Sequence, residues 1–122
     1  MIIGVGVDII EVERIQAALD HPRTGERFRL RVFTDEEIAY CGRRRNAAES
    51  FAARFAAKEA MMKALGHAYG WREIEVCRAN GPPTLRLHGR AQERAAQLGV
   101  QHIHLSLSHT ATLAIAYVVA ES

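Results

Sequence analysis

Cysteine, proline and lysine are scarce in this chain of 122 residues. Only Cys41 and Cys77 occur, outside any CxxC pair and away from a candidate ligand cluster. A disulfide scaffold and a cysteine-held zinc site are therefore poor readings. No apolar run approaches the roughly 20 residues that a membrane helix needs. The start, Met1-Ile2-Ile3-Gly4, lacks the basic head and cleavage site of a secretory signal. The expectation is a cytoplasmic protein with no membrane partner. Gly4-x-Gly6 has no third glycine at the right place, so a dinucleotide fingerprint is not supported. Repeats, linkers and low-complexity tracts are lacking as well. What is present is an ordinary globular balance, 48% hydrophobic and 25% charged, which argues against disorder. The length predicts a single domain over residues 1–122, able to bury a core but with little surface for a deep pocket of its own.

The net charge of +2 hides an uneven distribution. Arg14, Arg23, Arg27, Arg29 and Arg31 face only Asp20 and Glu26 across residues 14–31, and Arg43-Arg44-Arg45 follow. Such a face suits an acidic protein, a phosphate ligand or nucleic acid, or is simply solvated surface. Fourteen arginines stand against two lysines, Lys58 and Lys63, both in one segment. Where arginine is the default cation, a retained lysine hints that a compact point charge is wanted.

Residues 2–10 are β-branched and nearly all apolar, and predict a strand buried on both faces. A short helix over 11–19 stops at His21-Pro22, and a second covers 25–33. Thr34-Asp35-Glu36-Glu37 fits a capping box opening a helix to about Cys41. The clearest helix spans 46–65, rich in alanine and uninterrupted until Gly66. At about 100° per residue, Phe51, Phe55 and Met62 share a stripe, with Arg54 and Lys58 on one flank and Glu59 and Lys63 on the other. The far side is Ala53, Ala56, Ala57, Ala60 and Ala64, which predicts packing on more than one side, with another subunit as a candidate neighbour. Residues 73–78 and 84–88 read as strands about the turn Asn80-Gly81-Pro82-Pro83, and 89–98 as a helix ended by Gly99. Residues 102–108 alternate, with Ile103, Leu105 and Leu107 on one face, and 113–119 complete a hairpin. Hairpins mixed with helices predict an α+β fold, an antiparallel sheet with one long central helix.

Asp8 is an anomaly in an apolar strand. It is either the N-cap of the following helix or a functional carboxylate needing a cation or hydrogen bonds. Glu59 and Lys63 are i,i+4 neighbours, a favourable surface pair. Alternatively, the carboxylate holds a hard divalent cation and the ammonium a phosphate oxygen. Asp8 plus Glu59 meets the one or two carboxylates usual for magnesium on a phosphorylated substrate. In Ser106-Leu107-Ser108-His109-Thr110, a catalytic serine is not activated by its sequence neighbour and a G-x-S-x-G elbow is lacking, so His109 reads as a donor to an anion or backbone group. His102 and His104 share a strand face but lack an identified third ligand, which favours surface histidines.

Three segments taken together resemble the holo-[acyl-carrier-protein] synthase family of 4'-phosphopantetheinyl transferases. They are Gly4-Val5-Gly6-Val7-Asp8-Ile9, Phe51-Ala52-Ala53-Arg54-Phe55-Ala56-Ala57-Lys58-Glu59-Ala60 through Lys63-Ala64-Leu65-Gly66, and Leu105-Ser106-Leu107-Ser108-His109-Thr110. The likeness extends over nearly the whole chain, including Gly81-Pro82-Pro83. It implies transfer of the phosphopantetheine arm of coenzyme A to a serine of an apo acyl carrier protein, releasing adenosine 3',5'-bisphosphate. It also implies a homotrimer with active sites at subunit interfaces. By motif position, Asp8 and Glu59 would ligate Mg2+ and Lys63 would hold a pyrophosphate oxygen, these three forming the catalytic set. Arg54 and His109 would lie near the nucleotide at its 3'-phosphate, and Arg14 with the basic stretch would face the carrier. One departure is Gly66-His67-Ala68-Tyr69-Gly70, where the family often has Gly-Thr-Gly, and His67 is given no role. A nucleic-acid module is the rival reading. It calls for aromatic residues among the basic ones, and Arg43-Arg44-Arg45 has only Tyr40 nearby, so no nucleic-acid partner is expected. A trimeric scaffold that has lost its chemistry is a second rival, and intact Asp8, Glu59 and Lys63 argue against it.

Overall fold

The computed structural model describes residues 1–78 and 80–122. Strand β1 (Ile2–Glu11) runs directly into α1 (Val12–Asp20), followed by α2 (Gly25–Val32), α3 (Asp35–Gly42) and the long α4 (Ala47–Leu65). A 3₁₀ turn (Trp71–Glu73) leads into β2 (Ile74–Cys77) and β3 (Thr84–Leu87), then α5 (Gly89–Leu98), β4 (His102–His109) and β5 (Leu113–Glu121). The fold is α+β, with two antiparallel sheets: three strands ordered β1-β5-β4, and the β2-β3 hairpin. No helix among the described residues is long and apolar enough to cross a membrane.

Local chemistry accounts for the helix ends. The Thr34 hydroxyl accepts the Glu37 N–H while the Glu37 carboxylate accepts the Thr34 N–H, so the expected capping box is formed. Gly66 closes α4 at φ +76°, a left-handed conformation in which glycine carries no Cβ penalty, and its N–H reaches the carbonyls of Met62 and Lys63. Helix α5 lacks a side-chain cap at its own N-terminus; instead Glu73 accepts the N–H groups of Arg90 and Ala91. The chain ends are paired, Ser122 N–H donating to the Met1 carbonyl at 3.0 Å.

Helix α4 lies across one face of the larger sheet. Ala114, Ala116, Val118 and Ala120 of β5 turn towards it and are fully buried. The approach is close enough to dictate glycine on β1. A Cβ on Gly6 would fall 1.8 Å from the Ala60 carbonyl oxygen, and one on Gly4 would fall 2.0 Å from that of Ala64. The alanine side of α4 is therefore occupied by the chain's own sheet and not by another subunit, which corrects the candidate neighbour named for it above. The opposite side of α4 carries an aromatic layer, with Phe51 against Phe33 and Phe55 stacked on Trp71, each at 4.8 Å between ring centroids.

Strand β1 is not buried on both faces. With α4 on one side and nothing from the described residues on the other, Val5, Val7 and Ile9 are exposed, Ile9 by 61%. Leu113, Ile115 and Tyr117 of β5 extend the same open face. It is an apolar surface of six large side chains on two adjoining strands.

Candidate active site

The register of the larger sheet places Asp8 opposite Ala116, on the side facing α4. Strand β1 continues three residues beyond it, and α1 is preceded by Glu11 with no side-chain cap. Asp8 is thus not a helix cap. Its carboxylate meets Lys63, whose ammonium lies 3.4 Å from Asp8 Oδ1 and donates to the Val7 carbonyl at 2.9 Å. The lysine reaches across to the strand instead of pairing with Glu59 one turn earlier.

Glu59 is half-buried beside them. Burial pushes its carboxyl above the ordinary range, the neighbouring Asp8 charge adds to the rise, and Lys63 opposes it. Two carboxylates that repel each other beside one ammonium form an all-oxygen donor set, which suits a hard divalent cation. No cluster of three or more His, Cys, Asp or Glu that could hold a metal occurs among the described residues. A cation here would take two protein carboxylates and find its other ligands in substrate and water. Such binding requires Glu59 ionised, so it weakens as pH falls through the raised Glu59 range.

Arg54 and His109 are not part of this group in the chain. Arg54 leaves α4 on the flank away from Glu59 and Lys63, where its guanidinium lies over the Tyr40 ring at 4.4 Å. His109 ends β4, at the far edge of the sheet from β1, with Nδ1 3.4 Å from Glu49 Oε1. No hydrogen bond joins it to Ser106 or Ser108 among the described residues, so a Ser-His couple is not assembled. His102 and His104 are exposed on the open face, and His104 Nε2 is 3.0 Å from Glu121 Oε1. Arg14 is exposed on α1. After Gly66, the His67 and Tyr69 rings stand 5.2 Å apart at the C-terminal end of α4.

The sequence places Lys58 on a helix flank and marks it as one of two lysines kept where arginine is the default cation. In the fold its side chain is fully buried and donates to Glu37 Oε1 at 2.8 Å, to the Trp71 carbonyl at 3.0 Å and to the Ile74 carbonyl. Glu37 also accepts the N–H of Val76, while the Thr34 hydroxyl donates to Glu75, whose other oxygen lies 3.0 Å from His88 Nε2. One network therefore ties α3, α4 and the β2-β3 hairpin. Burial pulls the Lys58 ammonium below its ordinary range and Glu37 pulls it back up. The available signal was the use of lysine where the chain otherwise uses arginine: three acceptors converge on one point.

The family model of the 4'-phosphopantetheinyl transferase superfamily matches residues 4–118. A holo-[acyl-carrier-protein] synthase of Solibacter usitatus is 49% identical, covering all of both chains. Among solved structures, the holo-(acyl-carrier-protein) synthase of Bacillus anthracis in complex with CoA (3',5'-ADP) matches at TM-score 0.80 and 34% identity, over 100% of this chain and 98% of that one. The Helicobacter pylori synthase in complex with coenzyme A matches at TM-score 0.82 and 29% identity, over 96% and 99%.

Proposed function

The chain belongs to the 4'-phosphopantetheinyl transferase superfamily, among the holo-[acyl-carrier-protein] synthases, and is a transferase; from that premise we propose its substrates, metal, assembly and working residues. It moves the phosphopantetheine arm of coenzyme A to the serine hydroxyl of an apo acyl carrier protein in the cytoplasm. The carrier serves fatty-acid or polyketide assembly. A bond forms between the serine oxygen and the phosphorus bearing pantetheine, the bond from that phosphorus to the bridging oxygen breaks, and the serine proton passes to a carboxylate or to water. Adenosine 3',5'-bisphosphate leaves. The observation that carries this reading is the meeting of Asp8 and Lys63 beside Glu59 along one edge of α4.

Asp8 and Glu59 would hold Mg2+, which when bound supplies positive charge against the pyrophosphate. Lys63, fixed by Asp8 and the Val7 carbonyl, directs its ammonium to where charge gathers on the departing phosphate. Arg54 and His109 recognise the nucleotide at its 3'-phosphate. Arg14 and the arginines after it steer the acidic carrier. Mass spectrometry of an apo carrier incubated with the protein, coenzyme A and Mg2+ tests the reaction. The expected result is a carrier heavier by one phosphopantetheine, with adenosine 3',5'-bisphosphate released. An unchanged carrier mass overturns it.

The working assembly is a homotrimer with the site between subunits. Two features support this. Arg54 leaves α4 on the flank away from Asp8, Glu59 and Lys63, and His109 sits beside Glu49 at the other end of the helix, so a site that gathers all five draws on a second copy. The open face of Val5, Val7, Ile9, Leu113, Ile115 and Tyr117 supplies an apolar surface for assembly. Sedimentation equilibrium at micromolar concentration is expected to give three times the chain mass. A fully active monomer would contradict the shared site.

A further inference from the structure

Arg54 is a cation placed in the interior without an anion. It is 5% exposed, its Nε has no hydrogen-bond partner, and Nη1 reaches only the Ser50 carbonyl at 3.4 Å. Among the described residues no carboxylate lies within ion-pair distance of it. It borders a cleft of about 340 Å³ together with Glu36, Tyr40, Arg43, Cys77 and Arg86. A buried, unpaired guanidinium is costly and calls for an anionic ligand.

What restrains it is a ring. The Arg54 guanidinium carbon sits 4.4 Å from the Tyr40 centroid, and Arg44 approaches the same ring at 5.3 Å. Tyr40 stands one turn beyond Glu37 on α3, and Arg54 one turn before Lys58 on α4, so the buried Glu37–Lys58 pair pins the two helices beside the stack. The ring holds the guanidinium by a cation–ring contact that uses none of its N–H donors. A carboxylate partner would neutralise the charge and occupy its forked N–H donors; an aromatic face does neither, and leaves the donors in the guanidinium plane for a phosphate.

We propose that Tyr40 is a positioning residue for coenzyme A recognition, acting through Arg54 on the nucleotide 3'-phosphate. This rests on the reading of Arg54 given under the proposed function. The test compares the KM for coenzyme A with that for dephospho-coenzyme A, which lacks the 3'-phosphate, at saturating carrier. Tyr40→Leu is expected to raise the KM for coenzyme A about tenfold, the range of a desolvated cation–ring contact. Its kcat and its KM for dephospho-coenzyme A stay within about twofold of the unsubstituted enzyme. Tyr40→Phe, which keeps the ring face, is expected to restore the KM for coenzyme A. If Tyr40→Leu does not fold, Tyr40→Met serves in its place. Equal KM increases for the two substrates, or a fall in kcat alone, would assign Tyr40 to general packing and overturn the proposal. An unchanged KM would overturn it too. Arg54→Ala separates the two levels of the argument. If Arg54→Ala treats both substrates alike, the assignment of Arg54 to the 3'-phosphate is wrong. If Arg54→Ala discriminates and Tyr40→Leu does not, only the role of Tyr40 falls.

Discussion

Lys58→Met is expected to lower folding stability by about 3–5 kcal/mol at neutral pH, because it leaves the Glu37 carboxylate fully buried without its counter-charge. The carbonyls of Trp71 and Ile74 lose their buried donor in the same step. Urea unfolding followed by circular dichroism measures the effect as a lower midpoint at unchanged slope. Adding Glu37→Gln should recover part of the loss. A neutral amide removes the unpaired charge, and its single oxygen still accepts from one of the two backbone N–H groups, Thr34 and Val76, that the two Glu37 oxygens serve. A midpoint for Lys58→Met close to that of the unsubstituted chain would mean that water reaches this pair in solution.

Asp8→Asn and Glu59→Gln are each expected to cut turnover by roughly 10²–10³-fold, the scale set by losing one electrostatic contribution to charge stabilisation in the transition state. EDTA should stop the unsubstituted enzyme in the same way, and Mg2+ or Mn2+ should restore it. Near-normal rates in both variants would reduce Asp8, Glu59 and Lys63 to an ordinary ion-pair cluster. The Glu59 substitution carries a second, opposite signature. Its carboxyl is raised in the folded chain, so the folded state favours the protonated form. The associated stability is present at low pH and is lost as pH rises through the folded Glu59 range. Glutamine does not titrate. In metal-free buffer the melting temperature of Glu59→Gln relative to the unsubstituted chain should therefore climb between pH 4 and pH 8. An inactive enzyme that is relatively better folded in alkaline buffer distinguishes a strained ligand position from a damaged fold.

Much of this was legible in the sequence wherever the information is local. The capping box at Thr34, the stop at Gly66 and the hairpin of residues 102–108 and 113–119 depend on a few neighbouring residues. The helical arithmetic alone separated Arg54 from Glu59 and Lys63. Strand β1 misled because its large apolar residues Val5, Val7 and Ile9 lie on the open face while the covered face carries Gly4, Gly6 and Asp8, the reverse of the usual apolar-inward alternation. The alanine side of α4 misled for a related reason: small residues permit close approach by any neighbour, and only Gly4 and Gly6, more than fifty residues away, say that the neighbour is β1. The Glu37–Lys58 pair spans 21 positions and two helices, so no local pattern announces it. Tyr40 drew notice only as the one aromatic residue near three arginines, and its contact with Arg54 exists only once α3 lies against α4.

The glycines of β1 have a meaning for the chemistry beyond packing. Gly6 rests against the carbonyl of Ala60, the residue after Glu59, and Gly4 against that of Ala64, the residue after Lys63. Two residues beyond Gly6 stands Asp8. The distance across which the two carboxylates and the ammonium face one another is therefore gauged by main chain touching main chain, with no side chain between to compress or swell. Side-chain substitutions in the aromatic layer can loosen the far side of α4 without resetting that gauge. A single methyl group on either glycine would lift the helix from the strand and widen the gap between the charges. Bore and spacing are built into the backbone here, and side chains supply only the charge.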